Sequence, residues 1–145
     1  MTAFHSVVFS FASEKTCMPL LRFLLETISV LDANFINIRD RAGRTVLHYA
    51  AKNTTHGPLL VKWLVEHGAD PNIQDHKGYT PLHAAAEKPD RLPALLKLLA
   101  LKAEPTLKTT NGWTPLMLAS FHSNADAIHA LMTSFPGAFI QGRLV

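Results

Sequence analysis

Thr80-Pro-Leu-His-Ala-Ala85 decides the fold once the chain around it is laid over itself. It lies inside the block Asp75-His-Lys-Gly-Tyr-Thr-Pro-Leu-His-Ala-Ala-Ala86. Two more blocks align with it, Asp40-Arg-Ala-Gly-Arg-Thr-Val-Leu-His-Tyr-Ala-Ala51 upstream and Thr109-Thr-Asn-Gly-Trp-Thr-Pro-Leu-Met-Leu-Ala-Ser120 downstream. The threonines stand at 45, 80 and 114, so the periods are 80 − 45 = 35 and 114 − 80 = 34. Self-similarity at such a period marks a repeat architecture, in which each unit buries its apolar face only against its neighbours.

Every block carries its own start signal. Gly43, Gly78 and Gly112 fall where a tight hairpin requires positive φ, which glycine adopts without steric penalty. Thr45, Thr80 and Thr114 are suited to cap a helix, and Pro81 and Pro115 follow at the first helical position, where a missing N–H is harmless. Leu47, Ala50 and Ala51, with Leu82, Ala85, Ala86 and Leu116, Ala119, Ser120, then form a narrow apolar stripe at helical spacing. Second helices are predicted near Pro58–His67, Asp90–Leu101 and Asn124–Thr133, with Gly68 as a stop.

The second unit closes on Leu64-Val-Glu-His-Gly-Ala-Asp-Pro-Asn72, and with this phrase the pattern resembles the ankyrin repeat, whose signature Thr80-Pro-Leu-His-Ala-Ala85 matches residue for residue. The resemblance implies an all-α solenoid of stacked helix-turn-helix units joined by β-hairpin-like loops. Upstream of Asp40, Pro19-Leu-Leu-Arg-Phe-Leu-Leu-Glu26 reads as a second helix, and Ile36-Asn-Ile-Arg-Asp40 matches Pro71-Asn-Ile-Gln-Asp75. A single domain over 1–145 is therefore expected, with a degenerate N-terminal cap at 3–38, repeats at 39–73, 74–107 and 108–135, and a tail at 136–145. Three departures stand out: Val46 for proline, Met117 for histidine, and Lys102-Ala-Glu104 for Gly-Ala-Asp. The extra residues of the longer periods are expected around Asn53–Gly57 and Lys88–Leu92, where insertions are tolerated.

Composition agrees. With 145 residues, 48% of them hydrophobic, the chain can bury one sizeable core. A lone Cys17 forms no internal disulfide and no zinc cluster, which points to a reducing compartment, the cytosol or nucleus, or a host cell entered by a bacterial effector. The N-terminal segment lacks the positive start of a secretory signal and reads as a helix. No apolar run reaches the roughly 18 to 20 residues that span a bilayer.

Catalytic and metal chemistry find no foothold. His48 and His83 sit at the signature position, where the family's histidine hydrogen-bonds within and between repeats. The remaining histidines lack the His-Glu-x-x-His spacing of a metal site, and neither P-loop, nucleophile elbow nor dinucleotide fingerprint occurs. No enzyme activity, cofactor or metal is expected. Cys17 has no local base and reads as a small packed residue.

Positions that the repeat leaves free are the informative ones. In the ankyrin family, partners are gripped by hairpin tips and by the exposed end of each first helix. Carried over by alignment, this gives as candidate partner-binding residues Arg39, Arg41, Arg44 and Lys52 from the first complete repeat. The second supplies His76, Lys77, Tyr79 and Lys88, and the third Lys108, Asn111, Trp113, Phe121 and His122. Basic residues dominate one end and aromatics the other, the composition of an interface hot spot. The face therefore suits a protein with an acidic or phosphorylated surface and an apolar anchor, as an adaptor, inhibitor or effector would bind. Two alternatives stay open: a basic face for nucleic acid or anionic lipid, which a net charge of only +3 disfavours, and a targeting segment of a larger enzyme. A monomer is expected unless the apolar C-terminal segment pairs, covers the last repeat or contacts a partner.

Overall fold

Six- and seven-residue helices are too short to persist alone, so the threonine-led blocks become helical only by stacking and capping one another. The computed structural model describes residues 35–134, together with Pro19, Phe23 and Glu26. After a turn of 3₁₀ helix at Phe35–Asn37 come three helix pairs: α1 Val46–Lys52 with α2 Gly57–Glu66, α3 Pro81–Ala86 with α4 Leu92–Ala100, and α5 Pro115–Phe121 with α6 Ala125–Ser134. Short helices α1, α3 and α5 form one layer, and α2, α4 and α6 stack behind them. Pro19, Phe23 and Glu26 are helical, as the reading of Pro19–Glu26 requires. Cys17, most of the degenerate cap and the tail at 136–145 lie outside the described residues.

Small residues hold the inner layer close. Ala50, Ala51, Ala85, Ala86 and Ala119 are wholly buried, while Leu47, Leu60, Leu64, Leu82, Leu95 and Leu98 fill the space between the layers. Each such leucine contributes about 1.5–3 kcal/mol relative to an exposed one. Both second helices of the first two pairs begin and end within two residues of the expected bounds. A 3₁₀ turn at Pro89–Arg91 takes up the extra residues of the second connection, and Arg91 ties it back by donating to the Ala84 carbonyl at 2.7 Å.

The predicted hairpins close through Asp40 N–H to Arg44 O (2.8 Å), Asp75 N–H to Tyr79 O (2.8 Å) and Thr109 N–H to Trp113 O (2.8 Å). Gly43, Gly78 and Gly112 adopt φ of +78°, +80° and +81° at their tips. Consecutive tips also bond to each other, His76 N–H to Ala42 O and Thr110 N–H to Lys77 O, both at 3.0 Å.

A buried histidine locks each hairpin to the next. His48 Nδ1 accepts from the Thr45 N–H at 3.0 Å, which leaves the proton on Nε2, and Nε2–H donates to the Tyr79 carbonyl at 2.8 Å. His83 repeats the arrangement with Thr80 N–H (3.1 Å) and Trp113 O (2.9 Å). Met117 occupies the same register in the third unit, after which no hairpin follows among the described residues. The cap hydroxyls serve both partners: Thr80 and Thr114 accept from the backbone N–H of His83 and Met117, and the Thr45 and Thr80 hydroxyls also meet His48 Nδ1 at 3.0 Å and His83 Nδ1 at 2.8 Å.

Candidate protein-binding face

Two register positions of the repeat face outward from the inner layer, the residue after the hairpin glycine and the residue at the end of the short helix or, in the second unit, just past it. They hold Arg44 and Lys52 in the first unit, Tyr79 and Glu87 in the second, and Trp113 and Phe121 in the third. In the third unit the two positions touch: the rings of Trp113 and Phe121 lie 5.4 Å apart, edge to face. His122 adds a further ring 5.2 Å from Phe121. Phe121 is 71% exposed, so this aromatic cluster is uncovered at its outer edge.

Between the first two units the same positions border a groove of about 220 Å³. Four of the residues named from the alignment, Arg44, Lys52, Lys77 and Tyr79, line it, and His48, Asp75, Ala84 and Glu87 complete it. Both acids are engaged. Asp75 accepts from the Lys77 and Tyr79 N–H groups at 2.9 Å and faces the Arg44 guanidinium at 3.8 Å, while Glu87 pairs with Arg91 at 3.3 Å. Arg44 is held above arginine's ordinary pKa, chiefly by its hydrogen bond with Tyr49, whose hydroxyl also donates to Asp40. Lys52, half-buried, is pushed down first by loss of solvent and then by the neighbouring Arg44 charge. His48 is pushed down to about 4 by burial and enters the groove neutral at pH 7.

Other candidates are placed differently. Arg39 is exposed, yet its Nε donates to Gly43 O at 3.0 Å and its Nη2 to Gln74 O, so the guanidinium clamps two hairpins together. Gln74 does the same one unit on, donating to Gly78 O at 3.0 Å and Lys108 O at 2.8 Å. Arg41, His76, Lys108 and Asn111 are exposed on or beside the tips, and Lys88 on the connection, all outside the groove. Sequence reasoning did not pair Glu87 with Arg91, although their i, i+4 spacing was the available signal.

No group of three or more His, Cys, Asp or Glu side chains is arranged to hold a metal ion among the described residues. No helix among them is long and apolar enough to cross a membrane.

Stacked helix pairs with rigid, mutually bonded tips and a variable outer face define a helical-repeat interaction scaffold. A family model described as ankyrin repeats (3 copies) matches residues 2–75 and 54–142, and the chain belongs to the ankyrin-repeat family. Members of this family are in general protein–protein interaction modules, typically without catalysis. Comparison with curated proteins finds no match.

Proposed function

We propose that the chain binds an acidic or phosphorylated protein partner through the face formed by its hairpin tips and short helices. The observation that supports this reading is one surface carrying both a cation-lined groove and the Trp113–Phe121 pair, of which Phe121 is uncovered. Charge on such a face speeds encounter, and a desolvated aromatic holds the complex once formed. The stack needs little reordering on binding, because each tip is already bonded to the next.

Affinity capture with wild type, an Arg41→Glu/Trp113→Ala variant and Lys62→Glu, which lies on α2 behind the inner layer, tests the reading. A partner of this face is retained by Lys62→Glu and lost from the double variant. For that partner, Trp113→Ala should raise the dissociation rate about 30-fold, the equivalent of about 2 kcal/mol. A partner that responds to Lys62 and ignores Trp113 and Arg41 would place binding on the opposite side and end the proposal.

A further inference from the structure

Resting on that reading, the geometry points to a specific occupant: we propose that the face takes an extended peptide segment with a carboxylate seated between Lys52 and Lys77 and a large apolar side chain against Trp113 and Phe121. Charge complementarity carries the first anchor. Of the cations lining the groove, Arg44 has Asp75 beside it, whereas neither the Lys52 nor the Lys77 ammonium has an ion-pair partner among the described residues. The groove acids are committed to Arg44, Arg91 and backbone N–H groups. A carboxylate entering there meets two unmatched cations and a neutral His48. The lowered pKa of Lys52, caused by burial and by Arg44, fits a site that an anion would relieve.

The second anchor follows from the same register positions one unit further along. Trp113 and Phe121 present an aromatic edge with Phe121 largely uncovered. Adjacent packed helices lie about 8–10 Å apart, so a seat between α1 and α3 is roughly one and a half spacings, about 12–15 Å, from the aromatic pair of the third unit, Trp113 on its hairpin and Phe121 at the end of α5. An extended chain advances about 3.3 Å per residue and returns its side chains to one side every second residue. The carboxylate and the apolar side chain therefore belong about four residues apart in the bound segment. At two residues the reach is too short, and at eight the chain must loop out.

Selection from a random 12-residue peptide display library on the immobilised chain tests this directly. Enriched sequences should carry Asp or Glu about four residues from Trp, Phe, Leu or Met. The best of them, labelled and titrated by fluorescence anisotropy, should lose at least tenfold in affinity in Lys52→Glu/Lys77→Glu and in Phe121→Ala. Glu→Gln in the peptide should cost as much, and Lys62→Glu should leave binding unchanged. These substitutions alter side chains that make no hydrogen bond among the described residues, and unchanged circular dichroism melts verify that the variants fold. Enrichment without the acidic–apolar spacing, enrichment insensitive to Lys52 and Lys77, or no enrichment at all overturns the inference. A partner captured through Trp113 and Arg41 in the face of that result would leave the broader proposal standing with a folded surface as its ligand. A partner that ignores this face would end both.

Discussion

Acidification from pH 7.5 to pH 5 should weaken the fold through His48 before the chain's carboxylates are extensively protonated. The imidazole is buried with Nδ1 accepting from the Thr45 N–H, so adding a proton sets two donors face to face in a site that water does not reach. Burial accordingly lowers its pKa from 6.5 to about 4. The sign follows: the folded pKa lies below the unfolded one, so the unfolded chain takes up the proton first. Stability is complete above about pH 6.5 and is lost as pH falls toward 4. At pH 5 the unfolded histidine is favoured by proton binding about thirtyfold more than the folded one, about 2 kcal/mol. His83 is lowered in the same direction, again first by burial, and adds to the loss. Urea unfolding at pH 7.5, 6 and 5, on wild type and on His48→Gln, isolates the effect. Glutamine retains a donor and an acceptor but does not titrate, so its pH dependence should be shallower by about 2 kcal/mol across the window. Identical pH dependence in the two proteins would refute the assignment of His48 as a neutral, backbone-locked residue.

Two further predictions concern backbone conformation. Gly78→Ala should destabilise the fold clearly more than Gly112→Ala, because both carry the roughly 1–2 kcal/mol cost of a left-handed alanine, while only at Gly78 would the new Cβ meet backbone, 2.7 Å from Thr110 N. At Gly112 it meets nothing within 4 Å, and equal losses of melting temperature would contradict the stacking of tips. Lys102 holds φ +65° at the position where the preceding unit uses Gly68, so Lys102→Gly should stabilise by about 0.5–1 kcal/mol after the entropy cost of glycine; a lowered urea midpoint would sink this.

Much of this architecture was legible because the repeat writes each backbone requirement into a residue type. Glycine at 43, 78 and 112 announces positive φ, proline at 81 and 115 announces a helix start, and histidine at 48 and 83 announces the lock between units. The binding face was legible only as a set of positions. Which of its cations remain unmatched depends on side-chain partners reached across units: Asp75 comes from the second hairpin to Arg44 of the first, and Arg39 spends its donors on Gly43 and Gln74. Neither distance is encoded in a local pattern. Glu87 with Arg91 was readable as a helical pair, but a 3₁₀ turn rather than continuous helix separates them, and that turn is set by the extra residue of the second period.

One register position shows how structural and binding roles divide. Arg39, Gln74 and Lys108 are equivalent, and the first two reach forward to the carbonyls of the next hairpin. Lys108 has no following hairpin among the described residues, and its ammonium stays exposed. Met117 follows the same logic, since among the described residues no hairpin follows whose carbonyl could receive the Nε2–H of the histidine it replaces. Gly112, with open space where Gly78 has Thr110, is the third position to lose its neighbour. Bonding between units thus determines which polar groups are consumed, and partner choice is left to what remains. On the binding reading proposed above, Arg39 would contribute to stability more than to recognition, and the recognition charge would sit on Lys52 and Lys77 inside the groove. Arg39→Gln, which mimics Gln74 and preserves a forward donor, should then leave partner affinity nearly unchanged, whereas Lys77→Gln should weaken it and flatten its salt dependence. Comparable losses from the two would mean that Arg39 faces the partner after all, and that the clamp seen between hairpins opens on binding.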